Sequence, residues 1–247
     1  VQSDDTPPVT ALSVMGGHQS PGPEGSFYAS LDSRYTVPAV DPVVNEVAAG
    51  VAWTRWQDAG GAFQPFVSPI SLAEGVHPLG YQSQDNVGNL EVVRSTTVLV
   101  DATAPKTVLA IIGGPQFAGP DGATFYASPD TRLGLPAIDP VVSEVASGVE
   151  FTSYQDNGAA QTFTAPITLP EGAHIIGYQR QDRVANVEVV RSTNIWVDAT
   201  PPVTAWGWTS MKDLASHDST KSSKSATSSR SSPASIMKRS AASASKT

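Results

Sequence analysis

Asp101-Ala102-Thr103-Ala104-Pro105-Lys106-Thr107 is the stretch on which the fold turns, because the chain writes it three times. It opens as Asp4-Asp5-Thr6-Pro7-Pro8-Val9-Thr10 and returns as Asp198-Ala199-Thr200-Pro201-Pro202-Val203-Thr204, each step being 97 residues. Between the marks the copies also match internally, as in Val43-Val44-Asn45-Glu46-Val47 and Val141-Val142-Ser143-Glu144-Val145. A period near 100 is too long for a solenoid unit of about 20–50 residues and suits a small domain that folds on its own. The mark has a structural task as well: proline fixes φ and removes a backbone donor, so one strand must stop and the next begin there. A junction this short and this rich in proline restricts how far adjacent beads swing.

Within a bead the pattern is that of strands. Thr96–Val100 and Thr193–Val197 are short β-branched runs that end at a mark. Upstream, 76–85 and 173–182 alternate apolar and polar residues, placing Leu79 with Tyr81, and Ile176 with Tyr178, on one face. Turn signals such as Gly16-Gly17, Gly60-Gly61, Gly113-Gly114 and Asn157-Gly158 recur every eight to twelve residues or so. Twenty Pro and twenty Gly leave no sustained helical period in the body. About seven short strands per bead predict a β-sandwich, with a closed barrel as the alternative.

The division follows: residues 1–100 and 101–197 as two repeats, 198–209 as the truncated start of a third, and 210–247 as a tail. The tail has serine at fourteen of its 38 positions and too few apolar residues to offset ordering entropy, which predicts disorder. It carries seven basic and two acidic side chains, a balance of +5. The remainder holds eight basic against twenty-one acidic, −13 in all. An acidic body is a poor nucleic-acid binder and a good host for divalent cations. Cysteine is absent, so neither disulfides nor thiolate ligands contribute. No apolar run has membrane length.

Three motifs recur in order: Leu-x-Glu-Gly-x-His (72–77; 169–174), Gly-Tyr-x-x-x-Asp (80–85; 177–182) with a short turn to Asn89 or Asn186, and Val-Asp-x-Thr-x-Pro. Together they resemble the bacterial Ig-like repeats of large surface and secreted adhesins, with the signature Tyr…Asp-x-x-Gly-Asn…Val-Asp-x-Thr-x-Pro. The similarity is strongest to the leptospiral-type outer-membrane surface-protein repeat catalogued as a β-barrel domain. The resemblance spans residues 4–204. It implies two tandem Ig-like β-sandwiches in an all-β chain, acting as a non-catalytic spacer or adhesion module at a bacterial surface or outside the cell. Partners would then be neighbouring repeats and a surface protein or glycan, with no membrane insertion.

Some repeats of that kind hold calcium at bead junctions, which implies Asp85, Asn89 and Asp101 in the first bead and Asp182, Asn186 and Asp198 in the second as ligands. Calcium takes six to eight oxygens. The competing reading has Asp85 and Asn89 bonding a turn and Asp101 closing a strand. The first turn is intact as Asp85-Asn86-Val87-Gly88-Asn89, whereas the second has Ala185 in place of glycine. If that position needs a positive φ, Ala185 costs about 1 kcal/mol or shifts the backbone.

Other chemistry is sparse. Asp41 with Glu46, and Asp139 with Glu144, recur as carboxylate pairs, read as a solvated loop or a second cation site rather than a glycosidase pair. His77 and His174 recur without a second ligand at metal spacing. Neither a nucleophile elbow nor a phosphate loop is present, so catalysis is not expected. Trp53 and Trp56 correspond to Phe151 and Tyr154, and rings three apart on a strand face opposite sides. An exposed Trp56 or Tyr154 would stack on a sugar, as in an accessory carbohydrate-binding module of a secreted hydrolase.

Overall fold

The computed structural model describes residues 3–204. The Ser-rich tail and the end of the third copy, 205–247, lie outside the described residues. Val1–Thr200 form one compact unit.

The first repeat runs β1 (Val9–Thr10), β2 (Ser13–Met15), β3 (Gln19–Pro21), β4 (Phe27–Ser30), β5 (Arg34–Thr36), β6 (Ala39–Val40), β7 (Val51–Asp58), β8 (Gln64–Pro65), β9 (Gly75–Asp85) and β10 (Arg94–Asp101). The second runs β11 (Lys106–Thr107), β12 (Ala110–Ile112), β13 (Gln116–Ala118), β14 (Thr124–Ala127), β15 (Arg132–Gly134), β16 (Ala137–Ile138), β17 (Val149–Asp156), β18 (Gln161–Thr162), β19 (Ile167–Thr168), β20 (Gly172–Asp182) and β21 (Arg191–Val197). Ten and eleven strands stand where about seven were expected. Proline and paired glycines cut the smaller layer into pieces of two or three residues.

Each repeat has one large sheet, ordered β3-β4-β10-β9-β7-β8 in the first and β13-β14-β21-β20-β17-β18 in the second. The β4–β10 and β14–β21 pairs are parallel, the remaining pairs in these sheets antiparallel. Short ribbons form the other layer: β1-β6 and β2-β5, then β11-β16 and β12-β15-β19. The chain is all-β, two tandem β-sandwiches.

Alternation along the long strands fills the space between layers. Leu79 of β9 and Val98 and Val100 of β10 point inward onto Tyr35, Ile70 and Leu72, and Tyr81 of β9 is buried as well. Ile176, Tyr178, Ile195 and Val197 meet Leu133, Leu135 and Leu169 in the second repeat. Burying each such side chain is worth about 1.5–3 kcal/mol, and the two cores are separate clusters.

A buried carboxylate ties each first strand to its sheet. Glu91 accepts the Thr10 N–H at 2.9 Å and the Arg94 Nε–H at 2.6 Å. Glu188 accepts the Thr107 N–H at 3.0 Å and pairs with Arg191 at 3.1 Å. The turn after β20 keeps the backbone of its partner, with Ala185 at φ 69° where Gly88 sits at φ 102°. An L-residue in this left-handed region is strained because its Cβ crowds the backbone, and Ala185 N–H turns from the carboxylate to the Asp182 carbonyl at 3.3 Å. Ala185→Gly is therefore expected to raise stability by up to about 1 kcal/mol in urea unfolding. An unchanged or lower midpoint would show that the left-handed Ala costs nothing here.

Candidate functional site

Asp-x-Thr forms a small side-chain turn at every mark. The Asp4, Asp101 and Asp198 carboxylates accept the N–H of Thr6, Thr103 and Thr200 at 3.1, 3.1 and 2.8 Å. The threonine hydroxyl then donates to the Glu of the preceding Leu-x-Glu-Gly motif: Thr103 to Glu74 at 2.6 Å, Thr200 to Glu171 at 3.0 Å. Asp, Thr and Pro are thus a turn acceptor, a donor clip and a strand stop.

The second oxygen of each aspartate reaches forward. Asp101 Oδ2 accepts the Ser147 N–H at 2.6 Å, and Asp4 Oδ2 that of Ala49 at 2.6 Å. This brings Asp101 beside Asp139 and Asp182, and Asp4 beside Asp41 and Asp85, with one carboxylate oxygen from each residue within 4.8 Å of the others. The carboxylates so gathered set Asp101 with Asp139 and Asp182, and Asp85 with Asp4 and Asp41, and include neither Asp198 nor an asparagine. Asp4 and Asp101 thus serve the repeat that follows them in the chain. Asp198 stands exposed at the end of β21 with its Asx bond.

Asp85 and Asp182 are buried and bonded by the turns they organise. Asp85 Oδ1 accepts the N–H groups of Val87, Gly88 and Asn89 at 2.7–2.9 Å, and Oδ2 takes Asn89 Nδ2–H at 2.6 Å. Asn89 and Asn186 spend their remaining N–H on the carbonyls of Asp4 and Asp101, at 2.9 and 3.0 Å. Both asparagines are donors that weld mark to turn.

The third member was legible only as half of a pair. Asp41 and Asp139 accept the N–H of Gly50 and Gly148 at 2.6 and 2.7 Å, leaving Oδ1 of each buried without a partner. Glu46 and Glu144 stand exposed on left-handed turns at φ 62° and 65°, outside the clusters. Burial pushes the Asp139 carboxyl up to about 6, with the charges of Asp101 and Asp182 adding to it against the Gly148 bond. Burial also raises Asp182, opposed by its bonds from Asn186 and Val184. In the first repeat burial would raise Asp85, but its four N–H bonds outweigh it and hold it below the usual range.

Trp56 and Tyr154, predicted as stacking residues, are half-buried against the two cores, because the β7 and β17 positions that pair with Tyr81 and Tyr178 face inward. Phe151 is the exposed ring of its pair. Trp53 lies under Arg55, whose guanidinium is 4.2 Å from the ring centre, and donates Nε1–H to Gln84. His77 and His174 each face a carboxylate through Nδ1, Asp58 at 2.7 Å and Asp156 at 2.8 Å, and a backbone carbonyl through Nε2. They pin β9 and β20 to β7 and β17, and no metal cluster among the described residues includes them.

No protein-family model matches the chain, and no curated protein is significantly similar to it. Solved structures that match include the fibronectin(III)-like modules of CbhA from Clostridium thermocellum. They are 13% identical over 76% of this chain and 95% of theirs, with a TM-score of 0.36, too low to carry more than the likeness itself.

An aspartate whose pKa rises on folding binds its proton more tightly in the folded state. Folding is then favoured below the unfolded value of 3.8 and loses that contribution as pH climbs toward about 6. In chelator, the second repeat is expected to lose stability between about pH 4 and 7 through this group. Asp139→Asn should flatten the decline and raise the melting temperature at pH 7. A lower melting temperature for Asp139→Asn in chelator would contradict the buried-charge cost.

Proposed function

We propose that this chain is a non-catalytic spacer or adhesion module of a secreted or surface protein, with repeats fixed in line by calcium. One observation carries the reading. The aspartate that ends one repeat is buried in the next repeat's cluster, beside two further carboxylates, one of which leaves an oxygen unpartnered. Three carboxylates converging with no lysine or arginine bonded to them suit a hard cation with oxygen ligands. Asp101, Asp139 and Asp182 would hold it in the second repeat, Asp4, Asp41 and Asp85 in the first. Such an ion cancels like-charge repulsion and anchors the mark to both the strand before it and the turn after it. The role is mechanical: repeats held in register present distant binding elements at fixed reach.

No helix among the described residues is long and apolar enough to cross a membrane. Extracellular or cell-surface placement belongs to this proposal, supported by the bacterial Ig-like resemblance of the motifs.

Thermal unfolding in excess calcium and in excess EDTA tests it. Calcium at 100 times its Kd stabilises by about 2.7 kcal/mol, a shift of several degrees for domains of this size. Asp101→Asn should remove most of the shift assigned to the second repeat and leave that of the first. Superimposable curves with calcium and EDTA would reduce the aspartates to turn and strand-end residues.

A further inference from the structure

The two sandwiches share a backbone but differ on the outer face of the large sheet. Phe117 of β13, Tyr126 of β14 and Trp196 of β21 are directly opposed across three neighbouring strands. Their ring centres step by 6.5 and 6.3 Å, and the residues are 68%, 43% and 52% exposed. The same register in the first repeat reads Ser20, Tyr28 and Leu99. The fold therefore does not require the row: serine and leucine serve the same places.

Cross-strand ring pairs add a little to sheet stability, but the exposed ring surface does not, and a contiguous exposed row marks a binding surface. A hollow of about 290 Å³ borders it, shared by Phe117 and Tyr126 with Gln116, Ser128 and Asp198. The only charged side chain lining that hollow at neutral pH is a carboxylate, which repels nucleic acid and anionic lipid. Amide, hydroxyl and carboxylate groups instead complement the hydroxyls of a neutral sugar, while the rings take the apolar C–H faces of pyranoses.

We propose that Phe117, Tyr126 and Trp196 form a stacking platform for a single, extended chain of neutral polysaccharide. The even steps make a straight strip, longer than one sugar ring. Successive ring planes are tilted by 37° and 46°, so the three faces do not lie in one plane. Such a strip fits a free glycan chain and leaves a flat crystalline surface touching one ring at a time. The platform shares no residue with the aspartate clusters, so it stands or falls apart from the cation reading.

Affinity electrophoresis of the full chain in gels containing hydroxyethylcellulose, arabinoxylan or laminarin tests it, in calcium and again in EDTA. Retardation by at least one of the three is expected under both conditions, with weaker capture by crystalline cellulose powder. Phe117→Ser and Trp196→Leu install the residues the first repeat already tolerates, so folding should persist, checked by circular dichroism. Each should weaken binding about tenfold. Absence of retardation by all three soluble polysaccharides, or retardation indifferent to both substitutions, would overturn the proposal. So would equal or stronger capture by the crystalline powder. Light scattering that shows a wild-type dimer dispersed by Trp196→Leu would assign the row to a second copy of this chain instead.

Discussion

The arrangement depends on one buried carboxylate that belongs to two repeats at once. Asp101 is the last residue of β10, yet its side chain lies fully buried against Ser147, Asp139 and Asp182 of the following sandwich. Removing a charge from water is expensive unless donors or a cation replace the solvent. Two N–H groups, from Thr103 and Ser147, meet part of that demand. The linker is thereby bonded on both sides, to Glu74 behind and to Ser147 and Asn186 ahead. Proline stiffens it, but the hydrogen bonds decide where it points.

The repeats use polar burial in a consistent way. Asp85 and Asp182 organise tight turns, Glu91 and Glu188 hold the first strands, and His77 and His174 bridge strand pairs. A small sandwich without disulfides has a limited apolar core, and such networks fix a unique register where apolar packing alone leaves several open. The copies differ in which polar atoms they meet: Ser33 Oγ, Tyr35 OH and Asp58 Oδ1 are buried without partners in the first. Glu188 Oε2, Thr107 Oγ1 and Ser147 Oγ are buried without partners in the second, whereas the matching Glu91 and Thr10 atoms are bonded in the first. Polar atoms left unmet in a fold that can meet them cost stability. The divergence between copies is therefore physical as well as compositional, and the exposed aromatic row lies on the same, second copy.

Much was legible in the sequence, for local reasons. Strand period gave Leu79, Tyr81, Ile176 and Tyr178 as core, because alternation dictates side-chain direction once a strand is assigned. Asp-x-Thr-x-Pro read as a junction because turn acceptors and proline act on their immediate neighbours. The Glu-Val-Val-Arg run at 91–94 and 188–191 recurs just as clearly, and it was the available signal for the buried glutamates. The phase of the repeat was not legible. A mark at a boundary can bond to either side until the chain is folded, so the sequence does not say that Asp101 meets Asp182 rather than Asp85.

Sequence by itself determined the all-β class, the 97-residue period and the donor and acceptor types at each turn, all matters of near neighbours along the chain. Only the tertiary structure decided which three aspartates converge, that Glu46 and Glu144 stay outside, and that Trp56 and Tyr154 face the cores. It alone lined up Phe117, Tyr126 and Trp196, which are up to 79 positions apart. Such groupings depend on which strands neighbour each other and in what register, and sheet pairing between distant segments leaves no local trace in composition or spacing.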